Sequence, residues 1–375
     1  MTNSYSTPFF SVIAPIYNRV SFINSGINML LNQSFKDYEI ILINDGSTDG
    51  SAEICDEVAI HEKVIVIHKK NDGPGLARNE GLDKARGEYI CFFDIDDSVP
   101  ADWLERIYYH LENKDWKLLI YGYRELNPIC GTSTDFSFGD KRLETNNELR
   151  EMYSECLSGM AFNNGFVWNK VYKRDFLFRN NIRFPNLRIQ QDEVFNHYVY
   201  RKATQVKVIS EILYDYYVYE EGTGRSAIIP NRIEIFKAVR ASFLYLYNFW
   251  NLDDKKLLAY IHHRFVYNTL YNKNKTGLKS LCKYADEIFS SKEVEESMSY
   301  LHSNDTLSAQ SVDRLFRIAI KRKSKILFLL AEIRDRAVGN TKALCRRLMS
   351  RKRFIKRIGN FAGEKEKNTN QYSLS

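Results

Sequence analysis

Three carboxylates, Asp94, Asp96 and Asp97, close the segment GEYICFFDIDD at residues 87–97. Acids this close repel one another unless a positive group sits among them. A hard divalent cation carrying a phosphorylated substrate meets that need, because Mg²⁺-type ions take oxygen ligands and few protein groups. A solvated acidic turn or a helix N-cap would use the same residues. The apolar run Tyr89–Phe93 before them reads as a strand buried on both faces. In an open α/β sheet ligands bind just beyond the carboxyl ends of strands, where these acids fall.

The elements needed to hold such a site are legible on both sides of it. Strands are expected at Phe9–Pro15, Tyr38–Asn44, Val64–His68, Tyr89–Phe93 and Trp116–Tyr123, alternating with helices at Phe22–Gln33, Ser51–Ala59, Leu76–Ala85 and Pro100–Glu112. That alternation predicts a doubly wound, mostly parallel sheet with helices on both faces. Three strands load one edge with polar groups: Tyr17 and Asn18 after the first, Asp45 after the second, and the acids after the fourth. Gly46 permits a tight turn, and Ser47, Thr48 or Asp49 can cap the following helix. Residues 127–150 are weakly patterned and read as an excursion. A helix is expected to begin near Asp192 in QDEVF, and a Tyr-rich strand at Val206–Tyr219 leads to a loop ending in Arg225 and Ser226. From about Asn231 the pattern is helical.

The chain has 375 residues, 24 Tyr, 23 Phe and a formal charge of +7. Its six cysteines have neither CxxC pairing nor histidine partners, so they read as reduced thiols of a cytosolic protein. No signal pattern opens the chain, and no apolar run approaches the ~20 residues that span a bilayer. Charge is concentrated near the end: residues 311–357 hold 16 Lys/Arg against 3 Asp/Glu.

The ordered segments SVIAPIYN, ILINDGSTDGS, GPGLARNEGLDKARGEYICFFDIDD and QDEVF resemble the inverting family 2 glycosyltransferases of GT-A fold, over about the first 220 residues. The WNK segment at 168–170 and the Tyr-rich stretch are similar to the bacterial branch that builds capsule and lipopolysaccharide. The resemblance implies a nucleoside diphosphate sugar as donor. Asp45 would accept the uracil imide N–H, with Pro15, Tyr17, Asn18 and Gly46 shaping the base pocket. Arg78 would lie near the phosphates, a role that suits a guanidinium. Asp94-x-Asp96 matches the family's DxD motif: Asp96 would bind Mg²⁺ or Mn²⁺, Asp94 the ribose or sugar, and Asp97 would support the metal or cap the next helix. Asp192 would be the catalytic base; the family's usual Glu-Asp is Gln191-Asp192 here, followed by Glu193 as the competing acid. Trp168 and Lys170 would line the acceptor side.

The implied activity is transfer of a sugar from a UDP-sugar to a hydroxyl of a glycan or lipid-linked acceptor in bacterial surface polysaccharide synthesis. A catalytically inactive nucleotide-sugar-binding scaffold is one alternative. A sugar nucleotidyltransferase is another, but PIYNRV stands where its Gly-rich GGxGTR-like loop is expected. The expected organisation is a GT-A domain at 1–226 (donor half 1–125, acceptor half 126–226), a helical basic region at 227–360 and a disordered tail at 361–375. The basic helices fit an anionic membrane surface. The protein is therefore expected to be cytoplasmic and peripheral at the inner face of the plasma membrane, with no nucleic-acid partner.

Overall fold

The computed structural model describes residues 7–158, 165–218, 231–270, 278–303, 314–331 and 333. Strands β1 (Phe10–Ile16), β2 (Tyr38–Asn44), β3 (Val64–His68) and β4 (Tyr89–Phe92) alternate with helices α1 (Val20–Leu31), α2 (Ser51–Val58), α3 (Pro74–Lys84) and α4 (Trp103–Leu111). The four strands pair in parallel in the order β3-β2-β1-β4. Side chains alternate across the strands. Ile13, Ile41, Ile43 and Phe92 therefore enter one core, and Val12, Ile40, Leu42 and Phe93 the other.

The second half of the sheet departs from the simple alternation. After β5 (Leu118–Asn127), the stretch expected to be an excursion forms β6 (Thr132–Phe136), β7 (Lys141–Leu143) and α5 (Asn146–Ser158). β6 is mostly exposed, which is why no hydrophobic period marks it. The unforeseen strand β8 (Lys170–Lys173) inserts antiparallel between β4 and β5, and α6 (Arg174–Arg179) follows it. At four residues β8 is too short to show a period. Helix α7 (Gln191–Tyr200) then leads to β9 (Val206–Tyr217), which runs parallel to β5 and antiparallel to β7. Pro100, expected in the first turn of α4, lies three residues ahead of it.

Two compact units divide the chain, Met1–Phe265 and Val266–Ser375. Helix α8 (Arg232–Phe249) and the first part of α9 (Lys255–Leu270) thus belong with the sheet rather than with a separate region starting at 227. The reason is packing: Val239, Phe243, Leu246, Trp250, Leu257 and Ile261 complete the core over α7. The second unit is helical where described, with α10 (Leu278–Ser290), α11 (Lys292–Ser303) and α12 (Arg314–Lys321). Among the described residues no helix is long and apolar enough to cross a membrane. Arg225, Ser226 and all of the basic segment after 333 lie outside the described residues.

Candidate active site

The strand order reverses at β1. β2 and β3 are added on one side and β4 on the other. A crevice opens at such a switch point, beyond the carboxyl ends of the strands. β1 pairs with β4 only as far as Ile13, so Pro15, Ile16 and the residues after them run past β4. Pro15 stays in register with Ile43 of β2 and is partly exposed. Beyond it Tyr17 is 47% exposed, an open aromatic face at the crevice mouth. Asn18, at φ +50°, donates its backbone N–H to Ser47 Oγ (3.1 Å) and accepts from the Thr48 N–H (2.9 Å) through its side chain. The two loops are thereby tied together.

Asp45 is 2% exposed. Its carboxylate accepts the backbone N–H groups of Asp72 (3.1 Å) and Gly73 (2.9 Å) and faces Lys69 Nζ at 3.3 Å. It therefore anchors the 71–73 loop, a role additional to the expected base contact. Gly46 adopts φ +73°, and a Cβ there would sit 2.8 Å from the Asn71 backbone nitrogen, so only glycine fits.

On the other side of the crevice, Arg78 of α3 reaches Asp94 (Nη2–Oδ1, 2.6 Å). Arg78 is 5% exposed, yet its Nε and Nη1 are buried without a partner. Asp96 faces Arg19 Nε at 3.2 Å; burial raises its pKa, the Arg19 charge opposes this and Asp94 adds to it. Asp97 is placed differently from the expectation. It does not cap α4: it accepts the Tyr214 hydroxyl (2.9 Å) and the Tyr217 N–H (3.0 Å). Tyr214 also accepts the Asp94 N–H (3.2 Å), so β9 holds the acidic loop in place.

Helix α7 brings Asp192 to the same place. The segment before it is fastened to α3: Asn79 exchanges two 2.9 Å hydrogen bonds with the Phe184 backbone, and Phe184 stacks on Phe195 at 4.0 Å. Burial pushes the Asp192 carboxyl up to about 6, with Arg78 opposing and the charges of Glu193 and Asp94 adding. Glu193, the competing acid, is 8% exposed and held by both guanidinium nitrogens of Arg264. It is engaged away from Asp192's neighbours.

The two acceptor-side residues are interior. Trp168 is 3% exposed and stacks on Phe166 and Tyr214, each ring centroid 4.4 Å away, so it is a core aromatic and not an open face for a sugar. Lys170 is fully buried on β8, its amine donating to the Phe166 carbonyl (2.6 Å) and Asn169 Oδ1 (2.8 Å). Burial lowers its pKa to about 7, against the pull of the nearby Asp192 charge. Sequence reasoning missed Arg19, Tyr214 and Arg264. Nothing in their local patterns separates them from surface or core residues; only the tertiary pairing does.

Among the described residues no three His, Cys, Asp or Glu side chains converge as a metal cage. Asp94 and Asp96 still fit a Mg²⁺-type ion, which needs one or two carboxylates plus substrate phosphates.

Residues 11–155 match the model of glycosyl transferase family 2. An uncharacterized glycosyltransferase of Haemophilus influenzae is 44% identical over 184 residues, 48% of this chain and 68% of the relative. The chain belongs to glycosyl transferase family 2. The uncharacterized glycosyltransferase EpsJ of Bacillus subtilis is 33% identical over 225 residues, 60% of this chain. The chain spans 64% of the length of EpsJ, just under two thirds. Among solved structures, residues 1–349 of S. aureus TarS in complex with UDP-GlcNAc give a TM-score of 0.61 at 21% identity, covering 88% of this chain and 91% of that one. That likeness is one of fold, and the α/β architecture is the GT-A fold.

Proposed function

We propose that this protein is a metal-dependent, inverting glycosyltransferase using a nucleoside diphosphate sugar, with UDP as the preferred nucleotide. The observation that carries the reading is the meeting of three elements at the switch-point crevice. Arg78 from α3, Asp94 after β4 and Asp192 from α7 interact directly or through their charges. The base would lie by Tyr17, Asn18 and Asp45, where a carboxylate can accept an imide N–H. The buried, unpartnered Nε and Nη1 of Arg78 are donors suited to phosphate oxygens. Asp96, with Asp94 beside it, would hold Mg²⁺ or Mn²⁺, which supplies Lewis-acid neutralisation of the departing diphosphate.

Asp192 takes the proton of the acceptor hydroxyl as that oxygen attacks the anomeric carbon opposite the leaving group. A carboxyl raised to about 6 is a stronger base than an ordinary Asp and is still mostly ionised at pH 7. One such base suffices for a single displacement with inversion. Glu193 is committed to Arg264, which supports Asp192 in this role. Lys170 and Trp168 then shape the floor beneath the acceptor rather than its wall.

The acceptor is a glycan or lipid-linked hydroxyl in bacterial surface polysaccharide synthesis, and the protein works peripherally at the cytoplasmic face of the plasma membrane. The exposed apolar residues Ile326, Leu330 and Ile333 stand in sequence beside Lys321, Arg322, Lys323 and Lys325, all exposed, a combination that suits an anionic lipid surface.

The test is a donor screen with Mn²⁺, measuring nucleotide released from UDP-, GDP- and dTDP-sugars with and without chelator. Chelator-sensitive release from a UDP-sugar, lost in Asp96→Ala, is the expected result. Metal-dependent UDP binding without turnover of any donor, even with acceptor lipid extract added, would mark a scaffold instead. Absence of UDP binding would remove the assignments of Asp45 and Asp96.

A further inference from the structure

Two arginines serve the acidic loop, and they are held very differently. Arg78 is 5% exposed, pinned to Asp94 at 2.6 Å with the Phe184 ring 5.7 Å from its guanidinium carbon. Arg19 comes from the opposite wall of the crevice. Its side chain is 24% exposed, and its one acidic partner among the described residues, Asp96, is 18% exposed and 3.2 Å away. The remaining contacts of its guanidinium are backbone carbonyls, those of Tyr17 (3.4 Å) and Asn18 (3.1 Å).

The Arg19 backbone is fixed while its side chain is not enclosed. Its N–H is taken by Ser51 Oγ at 2.9 Å, and Asp49 caps the next residue, Val20, at 3.0 Å. The Arg19–Asp96 contact thus spans the switch-point crevice, from the loop after β1 to the loop after β4. A partly exposed ion pair of this kind contributes little and is readily exchanged.

We propose that Arg19 is a displaceable stand-in for the divalent cation at Asp96, released to bind the donor's diphosphate when donor and cation enter together. This rests on the reading of the crevice as a nucleoside diphosphate sugar site. Without donor, Asp94 and Asp96 need positive charge between the loops, and Arg19 supplies it from one side as Arg78 does from the other. Once a cation holds Asp96, Arg19 has no acidic partner left among the described residues, while two phosphates have arrived at the end of its tether. A guanidinium binds phosphate oxygens by charge-assisted hydrogen bonds as readily as it binds a carboxylate. The exchange keeps the crevice near neutral in both states. It also makes cation binding poor before the nucleotide arrives and strong afterwards, a coupling between the two ligands.

The experiment is a titration of Mn²⁺ by electron paramagnetic resonance, with and without saturating UDP, on the wild-type chain, Arg19→Gln and Arg19→Lys. Asp96→Asn serves as the variant that should lose the cation in both conditions. Removing the competing guanidinium in R19Q should tighten Mn²⁺ binding to the nucleotide-free protein by about fivefold. The same variant should weaken UDP binding at saturating Mn²⁺ by about as much, so that the coupling between the ligands shrinks. R19K should lie between, since an ammonium retains charge but not the planar fork. Unchanged or weaker Mn²⁺ binding by nucleotide-free R19Q, with UDP still bound by the wild type, would overturn the role of Arg19 alone. No UDP binding by the wild type with or without Mn²⁺ would overturn both this role and the reading of the site.

Discussion

Arg78 holds Asp94 with one nitrogen, Nη2 at 2.6 Å, and keeps its other two buried and unpartnered. Leaving a buried donor unsatisfied costs about 1–3 kcal/mol, more for a charged group, so these donors are destabilising unless a ligand takes them. Donor phosphates are the fitting acceptors. Arg78→Lys retains the charge at Asp94 but loses the fork, and should weaken UDP binding by about tenfold in calorimetry. Unaltered UDP affinity in this variant would place the phosphates elsewhere.

Asp192 should govern the acid limb of the pH profile. A general base works ionised, and burial puts its carboxyl at about 6. Activity is therefore fully present well above 6 and lost as pH falls through it, about tenfold per unit below. Asp192→Asn should lower kcat by at least about 100-fold with UDP affinity retained. A flat wild-type profile between pH 5 and 7.5 would deny the role.

Next door, the buried Glu193 is held by Arg264, whose own side chain is 23% exposed, and the pair is expected to be a structural support. Arg264→Met strands a carboxylate that is 8% exposed, and should destabilise the protein by about 3 kcal/mol in urea unfolding. Adding Glu193→Gln removes the stranded charge and should recover part of that loss. Glu193→Gln alone should leave kcat within about tenfold of wild type, since an acid that holds an arginine is not the proton acceptor.

Much of the donor half was legible because its strands are buried on both faces and end in turn residues. Tyr38–Asn44 and Val64–His68 have the bounds expected from the apolar runs. The site residues that sequence placed at one edge, Tyr17, Asn18, Asp45, Asp94 and Asp96, do stand at the ends of β1, β2 and β4. The acceptor half was less readable. β8 is four residues long and β6 is nearly all exposed, so neither carries a period. Trp168 and Lys170 were expected to line the acceptor side, Trp168 because an aromatic face packs against the apolar face of a sugar. A strand inserted between β4 and β5 instead buries Lys170, and Trp168 just ahead of it stacks on Phe166 and Tyr214. Asp97 shows the same limit: three acids in four residues look alike in sequence, and only β9, arriving more than a hundred residues later, separates the tie from the ligands.

Gly87 should tolerate no side chain. A Cβ there would lie 2.4 Å from the Ser11 backbone nitrogen and 2.6 Å from the Phe10 carbonyl carbon, and neither can move without parting β4 from β1. The Gly87 N–H also donates to Ser11 Oγ at 2.8 Å, fixing the approach. Gly87→Ala should cost about 4 kcal/mol or more, at the severe end of single substitutions. Thermal unfolding checks this, and a midpoint within a few degrees of wild type would contradict the packing of the β1–β4 seam.

His197 should make the fold acid-sensitive. Its Nδ1 lies 2.8 Å from Ser242 Oγ, and the Ser242 hydroxyl already donates to the Val239 carbonyl at 2.8 Å. Nδ1 therefore carries the proton, and Nε2 accepts from the Tyr153 hydroxyl at 3.1 Å. A second proton on the ring would force the Tyr153 hydroxyl to turn from donor to acceptor at Nε2. Burial pushes its pKa down to about 4, the Glu193 charge opposing and Arg264 adding. The unfolded chain binds that proton near 6.5, so the native state binds fewer protons between about 4 and 6.5. Stability is then fully present above 6.5 and is lost as pH falls toward 4, by about 3 kcal/mol in all. Urea midpoints for wild type and His197→Asn from pH 7.5 to 4 measure this directly. The wild type should lose more stability than the variant over that range. Parallel curves would mean that the imidazole takes up its proton in the native state as easily as in the unfolded one.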